Sequence, residues 1–134
     1  MTNRITPPKI KQLQSNEIFV FGTNLAGRHG AGAALFAHRK LGATIGRCHG
    51  LDGVCYGIPT KDENLKVLPL DRIQKYVNNF IFDATYYPEK VFLVTAIGTG
   101  LAGYSAEQIA PLFKDAMAVE NIWLPSEFWN VLSR

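Results

Sequence analysis

The stretch EIFVFGTNLAGRHGAGAALFAHRKLG, residues 17–42, passes from a strand pattern to a helix pattern through a loop of small residues. A continuous apolar run that ends at glycine predicts a buried strand over 17–22. Beyond the loop, apolar residues recur at three- and four-residue steps, which predicts a helix over 30–41 with Gly42 as its C-terminal cap. A strand, a glycine loop and a helix are therefore expected in direct succession.

The rest of the chain continues this alternation. Residues 1–16 lack periodicity and predict an extended arm, and the glycine-rich segment 44–53 predicts a loop. The remaining predicted elements are a strand at 54–58 that stops at Pro59, a helix at 71–85, a strand at 90–97, a helix from Ser105 with a capping-box pattern, a strand at 121–124 and helical turns at 126–132. This order predicts an α/β fold, namely a three-layer α/β/α sandwich around a mixed, mostly parallel sheet.

Length and composition narrow the class of protein. The 134 residues suit one domain that spans the whole chain, and hydrophobic residues make up 47%, as in ordinary globular proteins. The longest apolar runs have about seven residues, far fewer than the roughly 20 that cross a bilayer. Residues 1–15 also lack a signal-peptide pattern. We therefore expect a cytoplasmic protein without membrane association.

Charge and cysteine content exclude further classes. The net charge of +3 is spread along the chain, which argues against a nucleic-acid partner but favours the approach of an anionic small molecule. Cys48 and Cys55 match no zinc-binding spacing, so no metal or cofactor is expected. Cys48 and His49 are not expected to act as nucleophile and base, because adjacent side chains point in opposite directions in a strand and rarely meet in a loop.

Two glycine-rich loops, at 27–32 and 98–104, each follow a predicted strand and open a predicted helix. Ligands of open α/β sheets bind beyond the carboxyl ends of the strands, so both loops are expected to line one crevice. Glycine lets the backbone approach a ligand closely, and a helix N-terminus offers unpaired N–H groups. The loops match neither the Walker pattern nor GxGxxG, and together they predict a diphosphate held from two sides.

Three segments carry a resemblance to a known family: GAGAALFAHRKLG at 30–42, YGIPTK at 56–61 and VFLVTAIGTGLAGYSAEQIAPLF at 91–113. In this order they resemble the ADP-ribose-binding macrodomain superfamily, in particular its branch with a GAG helix start and an IGxGL loop. The resemblance spans about residues 17 to 124. It implies a macrodomain-like fold whose ligand is ADP-ribose or a related nucleotide, free or attached to a macromolecule.

The resemblance also assigns roles by position. The residues that would surround the diphosphate are Gly98, Thr99, Gly100, Leu101, Ala102, Gly103 and Tyr104. Those that would face the distal ribose are Asn24, Gly30, Ala31 and Gly32. Macrodomains usually grip adenine with an acidic residue on an earlier strand, and segment 1–16 supplies none. We therefore expect Phe128 or Trp129 to stack on the base.

Hydrolysis of ADP-ribosyl conjugates is a further expectation, with one departure. The hydrolase branch places an aspartate directly after IGxGL, where this chain has Ala102. If the chain is a hydrolase, a water held near Asn24 would attack the distal ribose, helped by His29 or Asp62. Arg28, in the first glycine loop, either neutralises phosphate or stays in solvent. Lys61, at the end of a predicted strand beside Asp62, either contacts the substrate or forms a surface ion pair.

Two other functions would use the same glycine loops. A Rossmann-like module would bind a different nucleotide or a cyclic-nucleotide signal, and a non-catalytic protein would sequester a ligand. A ligand panel separates the first alternative from ADP-ribose binding, and a turnover assay separates the second from hydrolysis.

Overall fold

A computed structural model describes residues 3–30, 32–44 and 49–134 of the chain. In this part of the chain the strands are β1 (Glu17–Asn24), β2 (Gly50–Asp52), β3 (Cys55–Lys61), β4 (Val91–Val94) and β5 (Ile122–Trp123). The helices are α1 (Gly32–Leu41), α2 (Leu70–Ala84), α3 (Ala106–Ile109), a 3₁₀ helix (Ala110–Ala118) and α4 (Ser126–Leu132). The predicted alternation of strands and helices is observed except at β2 and β3, which follow one another without a helix between them.

The five strands form one mixed sheet in the order β2-β3-β1-β4-β5. The pairs β1–β3, β1–β4 and β4–β5 are parallel, and only the edge pair β2–β3 is antiparallel. Within the described part of the chain this is an α/β fold with a mostly parallel sheet, as predicted. Because β1 is central, the loop that follows it lies between the ends of β3 and β4.

Apolar side chains cover both faces of the sheet. On one face, Phe19 and Phe21 of β1 pack with Ala37 of α1. On the other, the alternate residues Ile18 and Val20 join the larger core formed with α2, the 3₁₀ helix and α4. This alternation follows from the two-residue period of a strand, so a continuous apolar run serves two layers at once.

The helix predicted from Ser105 forms as two segments. Ser105 caps α3 with the predicted capping box, since its Oγ accepts from Gln108 N at 3.2 Å and its own N donates to Gln108 Oε1 at 2.9 Å. The chain then continues as the 3₁₀ helix from Ala110. Pro111 lies at the junction, and proline lacks an N–H and clashes with the carbonyl four residues earlier, which explains why a regular α-helix does not continue.

Two predictions near β3 are wrong. Strand β2 lies inside the segment 44–53 predicted as a loop, where Gly50–Asp52 pairs with the first half of β3. The strand also does not stop at Pro59, which pairs with Thr23 of β1 inside β3. Because β2 pairs with β3 only as far as Gly57, the missing N–H of Pro59 removes no bond to β2.

The N-terminal arm is held beside β5, the edge strand at the opposite side of the sheet from β2. Ile5 forms a parallel bridge with Leu124, and Thr6 N donates to Leu124 O at 2.9 Å. The Arg4 guanidinium lies 5.2 Å from the Trp129 ring centre and donates to the carbonyls of Ile122 at 2.9 Å and Met117 at 2.8 Å. The predicted arm is thus held against the last strand and helix.

Candidate functional site

A crevice of about 650 Å³ opens at the carboxyl ends of β1, β3 and β4. Both glycine loops contribute to its walls, as the sequence predicts. Its lining residues are Gly22, Thr23, Asn24, Arg28, Gly30, Gly32, Ala33, Ala34, Thr60, Lys61, Leu65, Thr95, Ala96, Ile97, Gly98, Gly100, Leu101 and Ala102. Its size lies in the range of small-molecule sites.

One wall is the loop 98–103, which closes on itself through main-chain hydrogen bonds. Gly103 N donates to Gly100 O at 3.0 Å, and Tyr104 N donates to Gly98 O at 2.9 Å. Between these bonds, the N–H groups of Gly100, Leu101 and Ala102 donate to no acceptor in the described part of the chain. Successive unpaired amides at such a turn form a concave site for an anion.

Glycine is required at the start of this loop. Gly98 has a φ of +79°, and a Cβ at this position would lie 2.8 Å from the Ile109 side chain of α3. At Gly100 a Cβ would meet no atom within 4 Å. The first glycine therefore lets the loop pack on α3, whereas the second lies open to the crevice.

The opposite wall is the N-terminal end of α1. Gly30, Gly32, Ala33 and Ala34 line the crevice there, and Gly32 has a φ of +57°. The first-turn N–H groups of a helix have no partner within the helix, and the helix dipole makes this end partly positive. The N-terminal end of α1 and the loop 98–103 thus line the same crevice, and glycine or alanine occupies most of their lining positions.

Two cationic side chains complete the crevice. Arg28 comes from the loop after β1, and Lys61 is the last residue of β3. An irregularity in the β1–β3 ladder between Thr23 and Asn24 brings Asn24 opposite Lys61. Lys61 O also accepts from Leu25 N at 2.9 Å, which fixes the backbone that carries the ammonium group. The lining therefore combines main-chain donors with positive charge.

Asn24 lines the crevice but uses its side-chain amide within its own loop. Its Nδ2 donates to Arg28 O at 2.9 Å, and its Oδ1 accepts from Arg28 N at 2.9 Å. This reciprocal pair closes the turn between β1 and the α1 wall. The arrangement makes Asn24 a residue that positions the loop carrying Arg28.

His29 does not line the crevice. It is 6% exposed, and its ring packs near Phe21 at 5.8 Å and His38 at 6.1 Å between ring centres. Its Nδ1 lies 3.1 Å from Gly27 O, so this nitrogen carries the proton, because a carbonyl only accepts. The Nε2 atom has no partner in the described residues. His29 thus fills the space under the loop, away from the predicted catalytic position.

Asp62 also lies outside the crevice lining. Its Oδ1 accepts from Asn64 N at 2.8 Å and from Lys66 N at 2.9 Å, and it thereby holds the turn that follows β3. Leu65 in this turn has a φ of +63° and lines the crevice. The carboxylate therefore shapes the rim without facing the ligand space.

The other predicted site residues divide in two groups. The structure brings Gly30, Gly32, Gly98, Gly100, Leu101 and Ala102 together with Asn24 in the lining. Thr99, Gly103 and Tyr104 belong to the same loop but not to the lining: the Thr99 hydroxyl donates to Ala96 O at 2.7 Å, and the Tyr104 hydroxyl donates to Leu68 O at 2.6 Å. Ala31 and Cys48 lie outside the described residues.

The two aromatic residues expected to stack on a base lie in the core instead. Phe128 is fully buried against Phe113, with 5.6 Å between ring centres. Trp129 packs under Arg4 and donates from Nε1 to Arg4 O at 2.7 Å. The expectation is wrong because helix α4 turns both rings inward to cover the sheet.

A second cavity of about 360 Å³ adjoins the crevice and shares Gly32, Ala33, Thr95 and Ala96 with it. Its further lining residues are Thr6, Pro7, Pro8, Ile10, Phe19, Phe36, Pro125, Ser126 and Glu127. The two cavities form one continuous surface, with a glycine-rich part at the strand ends and a part bounded by the N-terminal arm, α1 and α4. We call the second part the apolar lobe.

Sequence reasoning missed Thr95, Ala96 and the residues of the apolar lobe. Thr95 follows β4 directly, and its hydroxyl donates to Val20 O at 2.9 Å where the chain leaves the sheet. The position after a parallel strand was an available signal for Thr95 and Ala96. For the lobe, the arm residues Pro7 and Pro8 give no periodic pattern that could place them beside α1.

Comparisons with known proteins address the fold but not the site. Neither the protein-family models nor the curated proteins include a match to this sequence. The fold is similar to a solved structure described as a protein of unknown function from Bacteroides thetaiotaomicron, with a TM-score of 0.56 and 14% identity. The match covers 86% of this chain and 88% of that chain. At this identity the likeness shows the α/β architecture alone.

In the ranges 3–30, 32–44 and 49–134, no helix has the length and apolar character needed to cross a membrane. In the same ranges, no three His, Cys, Asp or Glu side chains form a group that could hold a metal ion.

Proposed function

We propose that this chain is a macrodomain-like protein that binds ADP-ribose in the crevice, with the apolar lobe taking the base. The observation that carries the proposal is the meeting of two glycine-rich walls at the carboxyl ends of adjacent parallel strands. The sequence resemblance points to the same ligand, and its motifs include the residues of both walls.

The diphosphate part of the ligand fits the donors of the two walls. The unpaired amides of Gly100, Leu101 and Ala102 provide one set of hydrogen bonds, and the first turn of α1 provides the other. Arg28 and Lys61 add positive charge for an anionic ligand. No acidic side chain belongs to the described lining of this 650 Å³ crevice, so nothing in it opposes a diphosphate.

The base part of the ligand fits the apolar lobe. Phe36 and Pro7 offer flat surfaces on which a planar ring can pack, and Glu127 at the edge can accept hydrogen bonds from an exocyclic amine. This carboxylate lies on α4, not on an early strand, so it would replace the acidic residue that segment 1–16 lacks. The lobe also explains how a base can be held although Phe128 and Trp129 are in the core.

Binding without turnover is the form of the proposal that the lining supports best. Hydrolysis needs a group that activates water, and the described crevice lining contains no carboxylate, imidazole or thiol. The predicted assistants His29 and Asp62 are engaged elsewhere, and Ala102 cannot supply a proton acceptor. We therefore propose recognition of ADP-ribose, free or carried by a macromolecule, as the activity.

Calorimetry with ADP-ribose, AMP, NAD and a cyclic nucleotide tests this proposal. We expect ADP-ribose to bind with a dissociation constant below about 1 mM and more tightly than the other three ligands. A preference for AMP or the cyclic nucleotide would instead select a different nucleotide-binding module. Absence of heat with ADP-ribose would overturn the proposal. Release of ADP-ribose from a modified protein would overturn the non-catalytic form alone.

A negative charge introduced into the loop 98–103 tests where the ligand binds. Gly100→Glu adds a carboxylate where a side chain meets no neighbour, so the fold should persist while ADP-ribose is repelled. We expect at least about a hundredfold loss of affinity. Ala118→Glu adds the same charge at the exposed end of the 3₁₀ helix, which precedes the amino end of β5, and should bind normally. Equal affinity in the two variants would contradict the placement of the ligand.

A further inference from the structure

A third cavity lies between α2 and the β2–β3 edge of the sheet, away from the strand ends that form the crevice. It has a volume of about 250 Å³ and is lined by His49, Gly50, Tyr56, Gly57, Tyr76, Asn79, Phe82 and Asp83. It shares no lining residue with the crevice or the apolar lobe. We call it the aromatic pocket, because four of its lining side chains are aromatic rings.

The chemistry of the aromatic pocket is opposite to that of the crevice. Asp83 places a carboxylate in it, and the described part of the chain gives this carboxylate one hydrogen bond, from the Tyr56 hydroxyl. The second carboxylate oxygen keeps its acceptor capacity. Asn79, one helical turn earlier on α2, adds an amide oxygen on the same side of the helix.

Aromatic rings line the pocket together with the Asp83 carboxylate. His49 and Tyr76 stand 6.1 Å apart between ring centres, with their planes inclined by 32°. Phe82 is 60% exposed and packs edge-on against Tyr86, which is 66% exposed, at 5.1 Å. Leaving two large rings in water is unfavourable, and such exposed aromatic surface beside a pocket is typical of a binding site.

We propose that the aromatic pocket binds a guanidinium group, such as that of arginine. A cation is attracted both by the faces of aromatic rings and by a carboxylate. A guanidinium is planar, so it stacks on rings, and its N–H groups match the Asp83 carboxylate and the Asn79 amide oxygen. A quaternary ammonium has no N–H to donate and would leave both acceptors unpaired. Free arginine and an arginine side chain of a partner protein share this chemistry.

A titration followed by ¹H–¹⁵N NMR tests the proposal on the full chain. The probe is N-acetyl-arginine N-methylamide, and the matched neutral probe is the corresponding citrulline derivative, which has the same shape without the charge. We expect saturable shifts of the Gly57, Asn79 and Phe82 amide signals with the arginine probe only. Equal shifts with citrulline, shifts confined to crevice residues, or equal binding of tetramethylammonium would overturn the proposal.

Variants locate the site. Asp83→Asn keeps an acceptor for Tyr56 but removes the charge, and we expect about a tenfold loss of affinity for the arginine probe. Asp115→Asn removes an exposed carboxylate of the 3₁₀ helix and should change nothing. If Asp83→Asn does not fold, Phe82→Ala replaces an exposed ring and should weaken binding about threefold. Unchanged affinity in Asp83→Asn, or in Phe82→Ala, would overturn the proposal.

The same titration, repeated with free arginine, distinguishes a small-molecule ligand from an arginine side chain of a partner protein. Free arginine that binds as tightly as the blocked derivative indicates a small-molecule ligand. Clearly tighter binding of the blocked derivative, whose flanking amides imitate a peptide, indicates an arginine side chain of a partner. Both results support the proposal, and they are distinguished by the ratio of the two dissociation constants. The crevice takes no part in this experiment, so its outcome is independent of the function proposed above.

Discussion

The crevice and the aromatic pocket are built from different parts of the polypeptide. Half of the residues that line the crevice are glycine or alanine, which leaves backbone groups accessible there. The aromatic pocket is lined mainly by side chains, which include four aromatic rings and one carboxylate. The first presents donors and positive charge, and the second presents acceptors and negative charge. One small sheet therefore offers two surfaces of opposite preference.

Strand β3 belongs to both regions. Its end, with Thr60 and Lys61, lines the crevice, whereas Tyr56 and Gly57 in its first half line the aromatic pocket. The position of a residue along a parallel strand therefore decides which kind of site it can join. At the end of the strand, main-chain groups of the following loop are exposed. At the edge of the sheet beside a helix, side chains are exposed instead. The variants below test how separate the two regions are.

The largest effect is expected from a single methyl group in the crevice wall. Gly98→Ala forces a non-glycine residue to a φ of +79° and places its Cβ 2.8 Å from Ile109. We expect a loss of about 3 kcal/mol in the free energy of unfolding, from backbone strain and overpacking together. Gly100→Ala, two residues on in the same loop, should cost less than about 0.5 kcal/mol. Urea denaturation measures both, and similar losses would contradict the distinct roles of the two glycines.

The next effect concerns alkaline pH and strand β3. Burial, with a further contribution from the Asp52 carboxylate, raises the pKa of the Cys55 thiol from 9.0 to about 11. Burial and the hydrogen bond to Asp83 also raise the pKa of the Tyr56 hydroxyl. The unfolded chain thus releases these protons at lower pH than the folded chain. The stability that both groups contribute is complete below pH 9 and is lost as pH rises through the folded pKa values.

Cys55→Ala isolates the thiol in this pH dependence. Between about pH 8 and pH 10.5, we expect the wild-type free energy of unfolding to fall by about 2 kcal/mol more than that of Cys55→Ala. The comparison uses the difference between the two pH values in each protein, so the cost of the smaller side chain cancels. Parallel curves for the two proteins would show that the thiol does not ionise differently on unfolding.

A third prediction separates the stability of the aromatic pocket from that of the crevice. Tyr56→Phe removes the hydroxyl that donates to Asp83, and we expect it to lower the free energy of unfolding by about 1 to 2 kcal/mol. Tyr86→Phe removes an exposed hydroxyl and serves as the control. We expect the affinity for ADP-ribose to be unchanged in both variants, because the Tyr56 hydroxyl lies in the aromatic pocket and not in the crevice. A loss of ADP-ribose binding in Tyr56→Phe would show that the crevice and the aromatic pocket are coupled.

The smallest effect is expected at the cationic rim of the crevice. Lys61→Gln should weaken ADP-ribose binding about fivefold and reduce its dependence on salt, because one charge that attracts the diphosphate is removed. Lys66→Gln changes an exposed lysine in the turn after β3 that is not part of the lining. Calorimetry at two salt concentrations compares them. An equal reduction in both variants would assign the effect to overall charge.

The sequence predicted the crevice well because glycine and strand patterns are local. The buried run before Gly22, the capping box at Ser105 and the two glycine loops are each visible within a few residues. Since parallel strands end at one edge, their meeting follows from the element order alone. The fold class was therefore within reach of the sequence.

The parts that sequence reasoning missed depend on contacts between distant segments. Strand β2 forms because Gly50–Asp52 finds a partner in β3, and three residues carry too little pattern to reveal this. The loop positions of His29 and Asp62 predict catalytic roles, but both side chains form hydrogen bonds to nearby backbone and neither lines the crevice. The aromatic pocket joins residues of β3 and α2 that no local pattern connects.

The fastening of the N-terminal arm has a consequence for folding kinetics. The hydrogen bond from Trp129 to Arg4 joins positions 125 residues apart, and the adjoining arm residues Thr6 and Pro7 form part of the apolar lobe. Closing so long a loop is entropically costly until the intervening chain is ordered. We expect the arm to dock last, so that the sheet forms before Thr6 and Pro7 complete the apolar lobe. Protection of the Thr6 N–H, which donates to Leu124 O, before that of the β1 N–H groups in a pulse-labelling hydrogen-exchange experiment would reverse this order.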